Sequence, residues 1–253
     1  MMLRAEPEAA ALASPLGRVS PLTKLGIAFA WFVGLALTTA IGPPIALTLV
    51  VLAAAVMFGR VHPGRLVRGL APLWTAALAV GVLNVVLGAA NLDPAAREVF
   101  RAGPLRVTEP GLLAGLGVVA RVLAIAAIGV VFSQTTDPTR FVDALVQQAR
   151  VSPRFAYGAL AAYQAVPRFG EDLASLRQAR RIRGLRGSWH PRLLVGLLVL
   201  AIRHGDRLAV AMDARGFGSG PRTHYREVRW VVLDLVLVVL AAGILWLAMG
   251  LAG

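Results

Sequence analysis

Five apolar runs constrain this chain more than anything else in it. They lie at residues 25–41, 45–58, 70–90, 112–132 and 231–251. Runs of this kind can cross the ~30 Å hydrocarbon layer as helices. They are continuously apolar and do not alternate, so membrane strands are not expected. Charged residues make up only 15% of the chain, against about 25% in soluble domains. The expected fold is all-α: a polytopic membrane helix bundle of about five spans.

The charges between the runs set the expected topology. Lys and Arg total 26 against 13 Asp and Glu, a net charge of +13. Such an excess could serve nucleic acid, but beside apolar spans it reads as the positive-inside bias, and no nucleic-acid partner is expected. Arg60, Arg65 and Arg68 sit in one loop without an acid, which places that loop in the cytoplasm. The uncharged turn expected at Gly42-Pro43-Pro44 and the neutral loop 91–110 then face outward. Residues 1–20 lack an apolar core for a secretory signal and read as a flexible cytoplasmic tail. Residues 21–133 form the expected membrane domain with spans one to four. Residues 134–229 form a cytoplasmic module, and 230–253 the last span. The bilayer of the cell membrane is the expected setting, with the N-terminus inside. The chain has no Cys, which excludes disulfides and thiolate metal sites.

Residues 134–229 carry the informative pattern. "TTDPTRF" opens one helix with Asp137 as cap and Pro138 at the first helical position, and Phe141, Val142, Leu145, Val146 and Ala149 line its apolar face. "VSPRF" repeats that start signal at Ser152 and Pro153. The second helix runs to about Gly184, with a kink expected at Pro167 and a stripe of Leu173, Leu176, Ala179 and Ile182. A third helix, from Pro191 to Gly216, has the stripe Leu194, Leu197, Ala201, Leu208 and Met212. Its apolar run is too short to span.

Two of these helices end alike, on "ARRIRG" and "AMDARGFG". Glycine suits the left-handed position past a last turn, and arginine suits the negative end of the helix dipole. A helix cap therefore accounts for both endings. Each arginine also lies seven residues beyond a stripe leucine, Arg183 after Leu176 and Arg215 after Leu208. That places each arginine nearly in line with its apolar face, where it could act as an interface anchor.

These segments resemble those of the transmembrane (T) component of energy-coupling factor transporters, ABC-class importers of vitamins and metal ions. In "SPLTKLGIAF", Pro21, Lys24 and Leu25 fit that family's entry into its first span, while Ser20 and Leu22 depart from it. "TTDPTRFVDAL" is similar to the segment after its fourth span. "AMDARGFG" is similar to the second of its two Ala-Arg-Gly motifs. "ARRIRG" is similar to the first, with Ile182 in the place of the usual Ala. The resemblance implies a coupling module whose tips dock on two ABC ATPase subunits, beneath a membrane part that grips a separate substrate-binding S subunit. It implies ATPase-coupling roles for Arg183, Gly184, Ala214, Arg215 and Gly216.

Other functions fit less well. No Gly-x-x-x-x-Gly-Lys-[Ser/Thr] is present, and "GFGSGP" has no Lys and follows no strand. ATP hydrolysis therefore belongs to other chains, and neither catalysis nor a cofactor is expected. "DARG" resembles part of the motif of membrane CDP-alcohol phosphotransferases, but their several metal-binding Asp residues are missing downstream. The four histidines show no metal-ligand spacing. An alternative is a stand-alone channel, or an anionic-lipid-binding protein using "RRIRGLRG" as a basic surface. Asp234, near the start of the last span, is expected to pair with Arg229.

Overall fold

The computed structural model describes residues 13–250 apart from 104, 186, 188 and 221–225. The chain divides into two compact units, Met1–Phe141 with Arg229–Gly253, and Val142–Val228.

The first unit holds the apolar helices. A short helix α1 (Pro15–Arg18) precedes α2 (Pro21–Leu37), α3 (Gly42–Met57) and α4 (Pro63–Leu87). A 3₁₀ turn (Ala89–Leu92) and a two-stranded antiparallel hairpin, β1 (Glu98–Ala102) and β2 (Leu105–Thr108), lead to α5 (Glu109–Thr135). The unit is completed by α9 (Val232–Gly250). By length and composition α5, α9 and the segment from Pro63 to Leu92 can each cross a membrane, and α2 and α3 are shorter apolar helices. The molecule is an all-α membrane helix bundle. The hairpin is the one β element among the described residues, and it falls in the neutral loop 91–110. It is held by an ion pair between Arg106 and Glu98 at 2.6 Å.

The break between α2 and α3 falls at residues 38–41, not at the Gly-Pro-Pro triplet expected to form it. Gly42, Pro43 and Pro44 are the first turn of α3. Backbone N–H groups there have no intrahelical acceptor, so proline costs nothing. The carbonyl of Thr38, freed by the break, accepts from Arg121 Nη2 at 2.7 Å. Arg121 sits midway along α5, and Gly117 of the same helix lies beside Thr39 and Ile41. At the other end of α2, Lys24 Nζ donates to the carbonyl of Thr135, the last residue of α5, at 2.7 Å and to Thr136 Oγ1 at 3.2 Å. The α2–α3 pair therefore runs beside α5 from Thr135 to about Gly117, a rise of about 27 Å. That is close to the ~30 Å thickness of a hydrocarbon layer.

A buried polar cluster ties the helix ends together. Asp234 is only 3% exposed. One of its carboxylate oxygens accepts the N–H of Ser20 at 2.7 Å, and the other accepts the N–H of Val231 at 2.7 Å. The carboxylate thus caps the start of α9 and the start of α2 at once. This is a different role from the ion pair expected for it. Arg140 donates from both terminal nitrogens to the carbonyls of Gly17 and Arg18. The apolar core beside the cluster includes Trp31, Leu35, Leu47, Val51, Leu66, Leu70 and Val131.

Helices α4 and α5 form the most extensive pairing. They approach across Gly81 and Gly115. A Cβ on Gly115 would lie 2.2 Å from Val85 Cγ2 and 3.1 Å from the Gly81 carbonyl oxygen. Small residues permit such close approach between membrane helices. The end of this pair is closed by Asn91, whose Oδ1 accepts from the Thr108 N–H at 2.9 Å while its Nδ2 donates to the Val85 carbonyl at 2.7 Å.

The second unit contains most of α6 (Pro138–Gln147) and all of α7 (Pro153–Ile182) and α8 (Pro191–Ala214). Asp137 caps α6 as expected, accepting from Thr139 N at 3.1 Å. Ser152 precedes α7, but its side chain makes no cap hydrogen bond. Helix α7 continues through Pro167. Its stripe thins toward the end: Leu173 and Leu176 are half-buried, Ala179 is exposed, and Ile182 is 87% exposed. On α8 the buried face is shifted by one residue at its start. Leu193 is buried and Leu194 is exposed, while Leu197, Ala201, Leu208 and Met212 are half-buried as expected. Leu176 of α7 packs on Gly196 of α8.

Two outcomes test this packing. Gly115→Val is expected to destabilise the bundle by about 1–3 kcal/mol through overpacking, lowering the midpoint of thermal unfolding in detergent. Gly129→Val, at a position with open space around it, should leave that midpoint unchanged. Asp234→Ala strands the buried N–H of Ser20 at about 1–3 kcal/mol and leaves the part-buried N–H of Val231 without its acceptor, and should lower the midpoint more than Asp234→Asn, whose amide oxygen still accepts.

Candidate functional site

The two arginine-glycine endings are built alike. Arg183 is the C-cap of α7 at φ −78°, ψ 8°, and Arg215 is the C-cap of α8 at φ −90°, ψ 8°. The glycines that follow are left-handed, Gly184 at φ +72° and Gly216 at φ +67°. At the first end Gly184 N donates to the Arg181 carbonyl at 3.0 Å and Leu185 N to the Arg180 carbonyl at 3.2 Å. At the second, Gly216 N donates to the Asp213 carbonyl at 2.8 Å and Phe217 N to the Met212 carbonyl at 3.0 Å. Both are complete Schellman closures. A side chain in the left-handed region costs about 1–2 kcal/mol, so glycine follows from the backbone at both positions.

The cap geometry leaves the arginines outside. Arg183, Ala214 and Arg215 are exposed. The last carbonyls of each helix face the cap residue, and that negative end of the dipole favours the guanidinium. The helix-cap account is met at both ends. The cap fixes the backbone, and it presents the cation at the end of a rod.

The two ends are far apart. Arg183 closes the C-terminus of α7. The segment after Arg215 packs instead on the N-terminal turns of the same helix: Arg154 Nη2 donates to the Gly218 carbonyl at 2.9 Å, and the rings of Tyr157 and Phe217 meet edge to face. The arginines thus stand near opposite ends of a 30-residue helix, about 45 Å along its path. They form two separate tips.

Helix α8 also carries an exposed apolar stripe of Leu194, Val195, Leu198, Val199 and Ile202. The i, i+4 steps put these residues on one face. Leu194, expected in the buried stripe, is exposed and belongs to this face instead. Its signal was present in the run "LLVGLLVLAI", which is apolar on more sides than a single buried stripe needs. His190 caps the start of α8, with Nδ1 accepting from Arg192 N at 3.1 Å, which places it among the loop and helix-end histidines.

A bundle of apolar helices joined to a unit with two separate cationic helix tips defines an all-α membrane protein. Sequence comparison identifies the family. Residues 13–225 match the cobalt transport protein (CbiQ) family, and the chain belongs to it. It is 28% identical to an energy-coupling factor transporter transmembrane protein of Limosilactobacillus fermentum, over 89% of this chain and 91% of that one. A protein of the same description from Heliobacterium modesticaldum is 28% identical, over 92% of this chain and 91% of its own. A putative ABC transporter ATP-binding protein of Bifidobacterium longum is 29% identical over 93% of this chain, which spans only 31% of that relative. The resemblance to energy-coupling factor T components, first seen in a few motifs, is borne out by these relatives.

Replacing either glycine by valine should unwind its tip. Gly184→Val and Gly216→Val are each expected to cost about 1–2 kcal/mol locally. The effect should appear as faster amide exchange at residues 183–185 or 215–217, with the melting of the apolar bundle unchanged.

Proposed function

We propose that this chain is the transmembrane coupling (T) component of an energy-coupling factor ABC importer. The observation that carries this reading is the pair of matching helix caps, each holding an exposed arginine, near opposite ends of α7. One docking surface would need one such tip. Two tips this far apart suit two copies of a partner, and the partner the family relationship supplies is the ABC ATPase subunit. Arg183 engages one ATPase and Arg215 the other, each with its guanidinium reaching into a groove to meet carbonyl or carboxylate oxygens. Gly184 and Gly216, without side chains, let the partner approach the backbone closely, and Ala214 adds no bulk beside Arg215.

The remaining surfaces suit the other partners. The exposed stripe of α8 offers an apolar contact to the substrate-binding S subunit. The apolar helices of the first unit face bilayer lipid. Arg60, Arg65 and Arg68 orient the chain with its N-terminus in the cytoplasm, which puts residues 142–228 on the side where ATP is available. This chain is non-catalytic: it carries no phosphate-binding loop, and its part is to transmit ATPase closure to the membrane. The S subunit holds the vitamin or metal ion and sets the choice of substrate.

The test is co-purification from detergent of the tagged chain with co-expressed ATPases and S subunit, followed by ATP-driven uptake in vesicles. Arg183→Glu and Arg215→Glu should leave the chain in the membrane and each weaken ATPase binding by ~2 kcal/mol or more. Uptake by the double mutant should fall to background. Normal coupled uptake by that mutant would remove the assigned role. Leu198→Asp should weaken S-subunit recovery while leaving ATPase binding intact.

A further inference from the structure

The two tips share one backbone geometry but differ in what supports them. At the first, Gly184 has open space around it, and Leu185, which donates the closing hydrogen bond, is 50% exposed. At the second, the closing donor is Phe217, and its ring lies against Tyr157 with centroids 6.5 Å apart at 77°. The Tyr157 hydroxyl donates to Asp143 Oδ1 at 2.8 Å, and Asp143 is 7% exposed. One turn earlier on α7, Arg154 holds the carbonyl of Gly218. A Cβ on Gly218 would lie 2.3 Å from Arg154 Nε, so the guanidinium lies directly over that backbone. Positions 154 and 157 share a face of α7, and both contact the two residues that follow the cap glycine Gly216.

Helix α6 anchors this arrangement. Val142 and Val146 pack on Ala156, with Tyr157 and Leu160 beside them. At the end of α6, Gln147 holds the returning chain by two hydrogen bonds: its Nε2 donates to the Arg226 carbonyl at 2.7 Å, and its Oε1 accepts from Val228 N at 2.8 Å. The chain leaving the second tip is therefore held at residues 217–218 through α7, and again at residues 226–228 by α6. Helix α6 is also the first helix after the fourth apolar run.

The geometry points to Tyr157, with Asp143, Phe217 and Arg154, as a brace that positions Arg215 and joins the second tip to α6. These are positioning residues, since none of them is itself the presented cation. The inference rests on the reading of Arg215 as an ATPase contact. Because Phe217 supplies both the last hydrogen bond of the cap and the ring that meets Tyr157, the tip cannot shift without disturbing that contact. Burial and the neighbouring Asp143 carboxylate push the Tyr157 hydroxyl up to about 12, so it remains a donor throughout the neutral range. The first tip has no such attachment among the described residues. Movement at the second tip is thus passed to α6, and movement at the first stays within the end of α7.

The experiment uses the full chain assembled with its ATPases and S subunit in lipid nanodiscs. The absence of native cysteine allows spin labels at Gln178→Cys with Asp213→Cys, and at Gln164→Cys with Gln178→Cys as a control along α7. All three positions are exposed. Tyr157→Phe and Phe217→Leu are expected to broaden the 178–213 distance distribution and leave 164–178 narrow. Both should weaken ATPase binding roughly fivefold, the loss of about one hydrogen bond or ring contact. Asp143→Asn, whose amide oxygen still accepts from the hydroxyl, should keep the distribution narrow. A 178–213 distribution unchanged in both variants would overturn the brace. So would a broadened distribution with unaltered ATPase binding, provided Arg215→Glu does weaken binding. Should Arg215→Glu itself leave binding intact while the distribution broadens, the brace stands as the anchor of the second tip and the docking role of Arg215 fails.

Discussion

The buried carboxylate of Asp234 governs how the membrane helices meet. Where no water is available, every unpaired backbone N–H at a helix start needs an acceptor. Asp234 supplies one oxygen to the start of its own helix and the other to Ser20 at the start of α2. One residue thereby fixes two helix ends that lie more than two hundred residues apart in sequence. Lys24 adds the complementary half, donating a hydrogen bond to the open carbonyl end of α5. Together they bring the beginnings of the first and last apolar helices and the end of α5 to one level. Arg121 repeats the principle deeper along α5, closing the carbonyl that the α2–α3 break exposes.

The second unit uses the same physics to present charge outward. Each cap closes its helix with two backbone hydrogen bonds and a left-handed glycine, and the arginine before that glycine is exposed. The dipole favours a cation there but does not bury it. A local stop signal thus becomes a cationic tip. What distinguishes the tips is their setting along α7: one is the end of that helix, and the other returns to its beginning. The match to the cobalt transport protein family runs from residue 13 to residue 225 and so takes in both tips.

Much of this was legible in the residues. Continuous apolar runs announce membrane helices because hydrocarbon excludes any other use of them. The Asp-Pro start at 137–138 and the Arg-Gly ends are local signals, and they formed the local structures they encode. The readings that failed concern register and partnership. Leu194 was placed inward where Leu193 is, because a rotation of about 100° on a helix rich in apolar residues changes its pattern very little. Gly42-Pro43-Pro44 was read as a turn, although proline is equally at home in a first helical turn. Ser152 has the right residue type for a cap and makes no cap bond. The hairpin at 98–108 carries too few alternating residues to stand out from a loop.

By itself, the sequence determined which segments are helices, which of them suit a bilayer, and where two helices must end on a left-handed glycine with an arginine before it. These follow from hydropathy and backbone sterics acting over a few neighbouring residues. Only the tertiary structure decided that Asp234 serves Ser20, that Lys24 closes α5, that the arginine tips stand near opposite ends of α7, and that Tyr157 and Asp143 lie behind one of them. Those are contacts between residues distant in the chain. A lone Asp, Lys or Tyr takes its meaning from which donor or acceptor the packing of apolar faces happens to leave unpaired beside it.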